Sequence, residues 1–196
     1  MFDLIDKLED KETLEREEWI TLLSAYQDDA LRDYAAQKAR AVAQSVYGHD
    51  VYVRGLIEFT NYCRNDCYYC GIRRSNPDAD RYRLTKEDIL ACCEEGWELG
   101  FRTFVLQGGE DGYFQDEWYE ELIHEIKQRY PKCAVTLSVG ERSGETYRRW
   151  YEAGADRYLL RHETADDVHY RSMHPQEMSP EHRKKCLYTL REIGYQ

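Results

Sequence analysis

Three cysteines fall within eight residues, Cys63-Arg-Asn-Asp-Cys67-Tyr-Tyr-Cys70, in the spacing C-x3-C-x2-C. Thiolates are the usual ligands of iron–sulfur clusters, and a cubane has four irons to satisfy. Three close thiolates hold three irons and leave the fourth without a protein ligand. An iron with an open position can bind a substrate, whereas a fully ligated cluster usually only passes electrons. The aromatic Tyr69, directly before the last cysteine, sharpens the signal. A competing reading is a non-enzymatic metal protein. Zinc would take the three cysteines plus a histidine such as His49 or His124, although structural zinc sites usually show two close ligand pairs. A fully ligated electron carrier would need Cys133 or Cys186 as its fourth cluster ligand.

The chain has 196 residues, seven cysteines and a net charge of -11, with 42% hydrophobic and 33% charged residues. Such a composition suits a folded globular protein. Its acidity argues against nucleic acid or an anionic membrane surface as the main partner. No apolar run is long enough to span a bilayer, and Met1-Phe2-Asp3-Leu4-Ile5-Asp6-Lys7 does not read as a secretory signal. An odd cysteine count without an export signal points to reduced thiols in a cytoplasmic protein. Cys92, Cys93, Cys133 and Cys186 are expected to be small buried hydrophobes.

The elements that must position the cysteines can be traced from periodicity. Residues 1–48 read as an N-terminal helical segment, with Asp28 capping a long helix that Gly48 ends. Residues 49–196 read as a second domain in which short apolar runs alternate with amphipathic helices. The strands are expected at 56–60, 103–107, 134–139 and 157–161, an α/β pattern with a parallel sheet. Thr85 and Asp88 form a capping box, Ser143 opens a later helix, and Ser179-Pro180 opens the last. Glu98-Leu-Gly100, Glu152-Ala-Gly154 and Glu192-Ile-Gly194 repeat one helix-ending pattern. The first two copies precede strands and the third only Gln196, so a further strand is expected beyond a truncated piece.

Alternation along the strands separates an apolar face (Ile57, Phe59, Phe104, Leu106, Val135, Leu137, Tyr158, Leu160) from a polar one. The polar face carries Glu58, Gln107, Thr136, Ser138 and Arg161 and is expected to line a cavity. The cysteine loop, Gly108-Gly109-Glu110, Glu141 and His162-Glu163 all follow strands, so they should gather at one end, where barrels of this type place function. Two bland readings stay open here. Arg161 pairs with Glu58 or Glu163 in one, and Gly108-Gly109 is simple turn chemistry in the other.

With these residues in place the chain resembles the radical S-adenosylmethionine enzymes, most closely the [FeFe]-hydrogenase maturases of HydE type and their biotin synthase and methylornithine synthase relatives. The resemblance runs from about Val51 onward and is carried by Arg54–Cys63, Tyr69–Arg74, Leu106–Asp111 and Asp156–Thr164. It implies the N-terminal part of a (β/α) TIM-type barrel, with about four βα units, and a [4Fe-4S] cluster on Cys63, Cys67 and Cys70. S-adenosyl-L-methionine would be cleaved there by an electron from a reduced donor such as ferredoxin or flavodoxin. By position, Gln107, Gly108, Gly109 and Glu110 would bind its amino end, backbone near Tyr69 its adenine and Glu163 its ribose. Arg183 would lie near its carboxylate, unless it is a solvated helix charge. Thr136 and Arg161 would meet a small-molecule or organometallic substrate. The reaction expected is a step in hydrogenase cluster maturation, with methylornithine or biotin formation as the neighbouring alternatives.

Overall fold

A computed structural model describes all residues, 1–196. They form two compact units, Met1–Tyr52 and Val53–Gln196. The first contains α1 (Phe2–Lys11), α2 (Arg16–Ser24) and α3 (Asp29–Tyr47). Asp28 caps α3 by accepting from the Leu31 amide at 3.1 Å, and Gly48 follows the last turn with φ +61°.

The second unit runs β1 (Gly55–Thr60), α4 (Lys86–Glu98), β2 (Thr103–Gly108), α5 (Asp116–Arg129), β3 (Ala134–Ser138), α6 (Gly144–Glu152), β4 (Arg157–Tyr158), α7 (Asp167–Met173) and α8 (Pro180–Ile193). The four strands are parallel in the order β1-β2-β3-β4. Thr85 and Asp88 form the expected capping box, and Ser143 and Ser179 cap α6 and α8. Each repeated glycine sits at a helix exit with positive φ: Gly100 at 93°, Gly154 at 116° and Gly194 at 111°.

The apolar strand face is buried as expected. Phe59, Leu106, Val135 and Leu137 meet Ile89, Leu122, Ile126, Tyr147 and Trp150 from the helices in one core. Each such side chain contributes about 2 kcal/mol of hydrophobic stabilisation before ordering costs. That continuous layer fixes the strands so that their opposite, polar face stays open.

Two features depart from the sequence reading. The fourth strand is shorter than 157–161. β4 pairs with β3 alone, and one further bond from the Leu159 amide to the Leu137 carbonyl (2.8 Å) ends the ladder. Helix α7 was not expected. It has seven residues and buries only Tyr170, so it leaves no apolar stripe to read.

Candidate functional site

The ends of β1, β2 and β3 open on a cavity of about 250 Å³. Cys63, Cys67 and Cys70 line it, with Tyr69 between them. Gln107, Gly108, Gly109 and Glu110 line it from β2, Arg161 and Glu163 from the segment after β4, and Arg183 from α8. The structure thus brings together every expected site residue except Thr136. That residue is buried in the sheet, away from the cavity wall, with its hydroxyl unpartnered.

The cysteine loop has no regular structure and is held by specific hydrogen bonds. The Arg81 guanidinium donates to the carbonyls of Ile72 (2.9 Å) and Arg73 (2.7 Å) as well as that of Asn61. The Arg74 amide donates to Asn65 O at 2.9 Å and the Cys70 amide to Cys67 O at 3.0 Å. Burial raises the thiol pKa of Cys63, and it carries Cys67 to about 11 with help from the neighbouring thiolates. Metal binding here must therefore displace protons.

Gly109 lies against this loop. A Cβ on it would stand 2.2 Å from Tyr62 O and 2.8 Å from Cys63 Cβ, and one on Gly108 would stand 2.7 Å from Thr60 Cγ2. Neither glycine has a positive φ. Close approach, and not turn chemistry, is what requires them. The Arg64 amide donates to the Glu110 carbonyl at 3.0 Å, so the two loops are also joined by their backbones.

Glu110 is buried among charges. One carboxylate oxygen accepts from the Glu141 amide at 3.1 Å, and the other lies 3.0 Å from the Arg64 guanidinium. Gly140, at φ +81°, leaves room for it, since a Cβ there would fall 1.8 Å from Glu110 Cγ. Arg183 is 7% exposed, which overturns its reading as a solvated helix charge. Its Nε stands 2.8 Å from a Glu141 carboxylate oxygen, yet off the hydrogen-bond axis, and its terminal nitrogen lies 3.6 Å from Glu110. Burial opposes its charge, but Glu141 and Glu110 outweigh that and raise its pKa. A fixed cation with a donor out of alignment suits a carboxylate ligand.

Arg161 is exposed on the cavity wall and pairs with neither Glu58 nor Glu163. Glu58 accepts instead from Gln107 Nε2 at 2.8 Å. Glu163 is held at φ +61°, an uncommon conformation for a side-chain-bearing residue and a pointer to functional strain.

None of the other four cysteines lines the cavity. Cys93, Cys133 and Cys186 are buried, but Cys92 is exposed, contrary to expectation. Helix neighbours point about 100° apart, and Cys93 takes the inward direction. No three His, Cys, Asp or Glu side chains converge on a single-ion position. A cubane presents separate irons and needs no such convergence, so three thiols on one cavity wall fit it. The sequence reading missed His174, which lines the cavity, and the Arg83–Asp111 pair (2.6 and 3.0 Å), whose Asp111 also accepts from the cavity-lining Thr60 at 2.8 Å. Only the proline after His174 hinted at its place.

Residues 57–196 match the family model described as the Radical SAM superfamily. The chain is 42% identical over 194 residues to the [FeFe] hydrogenase maturase subunit HydE of Thermotoga maritima, covering 99% of this chain and 54% of the relative. It is 33% identical over 156 residues to 3-methylornithine synthase of Methanosarcina barkeri, covering 78% and 43%. Among solved structures, methylornithine synthase (PylB) superposes with TM-score 0.82 at 28% identity, over 98% of this chain and 56% of that one. HydG, a maturase of the [FeFe]-hydrogenase, gives 0.85 at 25%, over 98% and 43%. The chain spans about half the length of the curated relatives it matches.

Proposed function

For this chain, which belongs to the radical SAM superfamily, we propose the reductive cleavage of S-adenosyl-L-methionine at a [4Fe-4S] cluster, in the service of [FeFe]-hydrogenase maturation. One observation carries the reading: the three thiols and the Gly108-Gly109-Glu110 turn face a single cavity, with Gly109 closed onto Cys63. Cys63, Cys67 and Cys70 would hold three irons. When bound, the cluster supplies the electron that splits the sulfonium into methionine and a 5′-deoxyadenosyl radical.

The protein's part is to hold the cosubstrate in one geometry. Glu110 would accept from its amino group, and Arg183 would face its carboxylate. Glu163 would take the ribose hydroxyls, and the loop backbone near Tyr69 would meet the adenine. Gln107 would line the same site. Arg161, unpaired and forked, suits a substrate carboxylate. Thr136, buried and not part of the cavity lining, is left without a substrate contact. The electron would come from a reduced ferredoxin or flavodoxin in the cytoplasm, a compartment in keeping with seven free thiols.

The test is anaerobic reconstitution followed by iron, sulfide and zinc analysis. The expected result is close to four irons and four sulfides per chain, lost on C63A, C67A or C70A. Zinc in their place would overturn the proposal. Methylornithine formation is the second reading, favoured by the similarity to that synthase. Incubation with each candidate substrate, and a search by mass spectrometry for 3-methylornithine against a modified iron–cysteine complex, separates the two.

A further inference from the structure

His174 is buried, lines the cavity and has no part in the proposed reaction so far. Pro175 follows it, and a residue before proline avoids the helical region. His174 accordingly adopts φ -126° and ψ 150°, ends α7 and presents its ring to the cysteine loop. Its Nδ1 lies 2.8 Å from the Tyr170 carbonyl. A carbonyl only accepts, so Nδ1 carries the hydrogen and Nε2 of the neutral ring is an acceptor. That Nε2 lies 3.2 Å from the Tyr69 hydroxyl, which therefore donates.

The imidazole is confined on both sides. It stacks on Tyr170 at 3.9 Å and 17°, and meets Tyr69 edge to face at 5.4 Å and 87°. Two further contacts tie the same connector to the adjoining loop residues. The Tyr68 amide donates to Met173 O at 3.0 Å, and Cys67 Sγ lies 3.7 Å from Met178 Sδ. Tyr69 itself is 53% exposed, and a ring that open keeps its rotamer freedom unless a partner removes it.

We infer that His174 is a positioning residue: its hydrogen bond fixes the ring of Tyr69, and with it the stretch of cavity wall that faces the adenine of the cosubstrate. The inference rests on the proposed S-adenosyl-L-methionine site and adds to it a residue outside the cysteine loop. His174 touches no reacting atom and acts through Tyr69.

Three variants test it in the reconstituted chain. H174F keeps a ring on Tyr170 but removes the acceptor, Y69F removes the donor, and H174Q restores an acceptor. The readout is the S-adenosyl-L-methionine concentration that half-completes the change in the EPR spectrum of the reduced cluster, with iron content taken on the same samples. H174F and Y69F should each raise that concentration about fivefold, the worth of one net hydrogen bond. The double variant should lose no more than either alone, and H174Q should move back toward the unaltered chain. Iron content should not change. Unaltered binding by H174F, additive losses in the double variant, or iron loss in H174F alone would each overturn the inference. Should H174F fail to fold, Y69F decides: binding as in the unaltered chain overturns it. No response in the unaltered chain removes the cofactor reading itself, and this inference with it.

Discussion

Gly109 is the residue on which the two halves of the site meet, because only a bare Cα leaves room for Tyr62 O and Cys63. G109A should therefore push the cysteine loop off the end of β2. The expected cost is about 1–3 kcal/mol, read as a lower urea midpoint, together with reduced iron uptake. Asp111, two residues on, supports the same junction. Burial alone would raise its pKa, but the Arg83 guanidinium, the Tyr113 amide and the Thr60 hydroxyl together hold it below the ordinary Asp value. Its contribution is complete above that ordinary value and is lost as pH falls through the lowered one. D111N should cost about 2 kcal/mol at neutral pH and flatten the acid side of the stability curve. Urea midpoints measured from neutral pH downward check both. An unchanged acid slope would show that Asp111 is not the linked group.

Among the elements, the cysteine loop depends most on single side chains. Arg81 binds carbonyls at both ends of it, so its forked geometry does what a helix or ladder would do elsewhere. R81K keeps the charge and loses the fork. Iron release to a chelator should quicken about tenfold, the equivalent of one charge-assisted hydrogen bond, while the unfolding midpoint of the iron-free chain moves little. The strands and most helices could be read from the sequence because their signals are local: alternation in β1 to β3, caps at Thr85, Ser143 and Ser179, glycine exits at 100, 154 and 194. The gathering of four clusters at one sheet end followed from those strands. Other features depend on contacts that a linear reading does not hold. The length of β4 is set by its one partner, and α7 buries too little to show a period. For Arg183 the sequence left a cosubstrate contact and a solvated helix charge both open, and only the packing of α8 against Glu141 and Glu110 decides for the buried position. His174 had meaning only once Tyr69 stood beside it.

At the scale of the whole molecule, a four-stranded parallel sheet with helices on one face holds the open cavity, and β1 and β4 each pair on one side only. Relatives about twice as long share this half. Under the proposed function, cluster binding and contact with S-adenosyl-L-methionine would draw on residues that line this cavity. On that reading, one iron of the cluster would have no side-chain ligand and would be open to the cosubstrate. EPR spectroscopy of the reduced, reconstituted chain with and without S-adenosyl-L-methionine tests it most directly. The spectrum should change on addition and saturate at one cosubstrate per cluster. An identical spectrum from a fully loaded cluster would mean that every iron is already capped, and would contradict that reading.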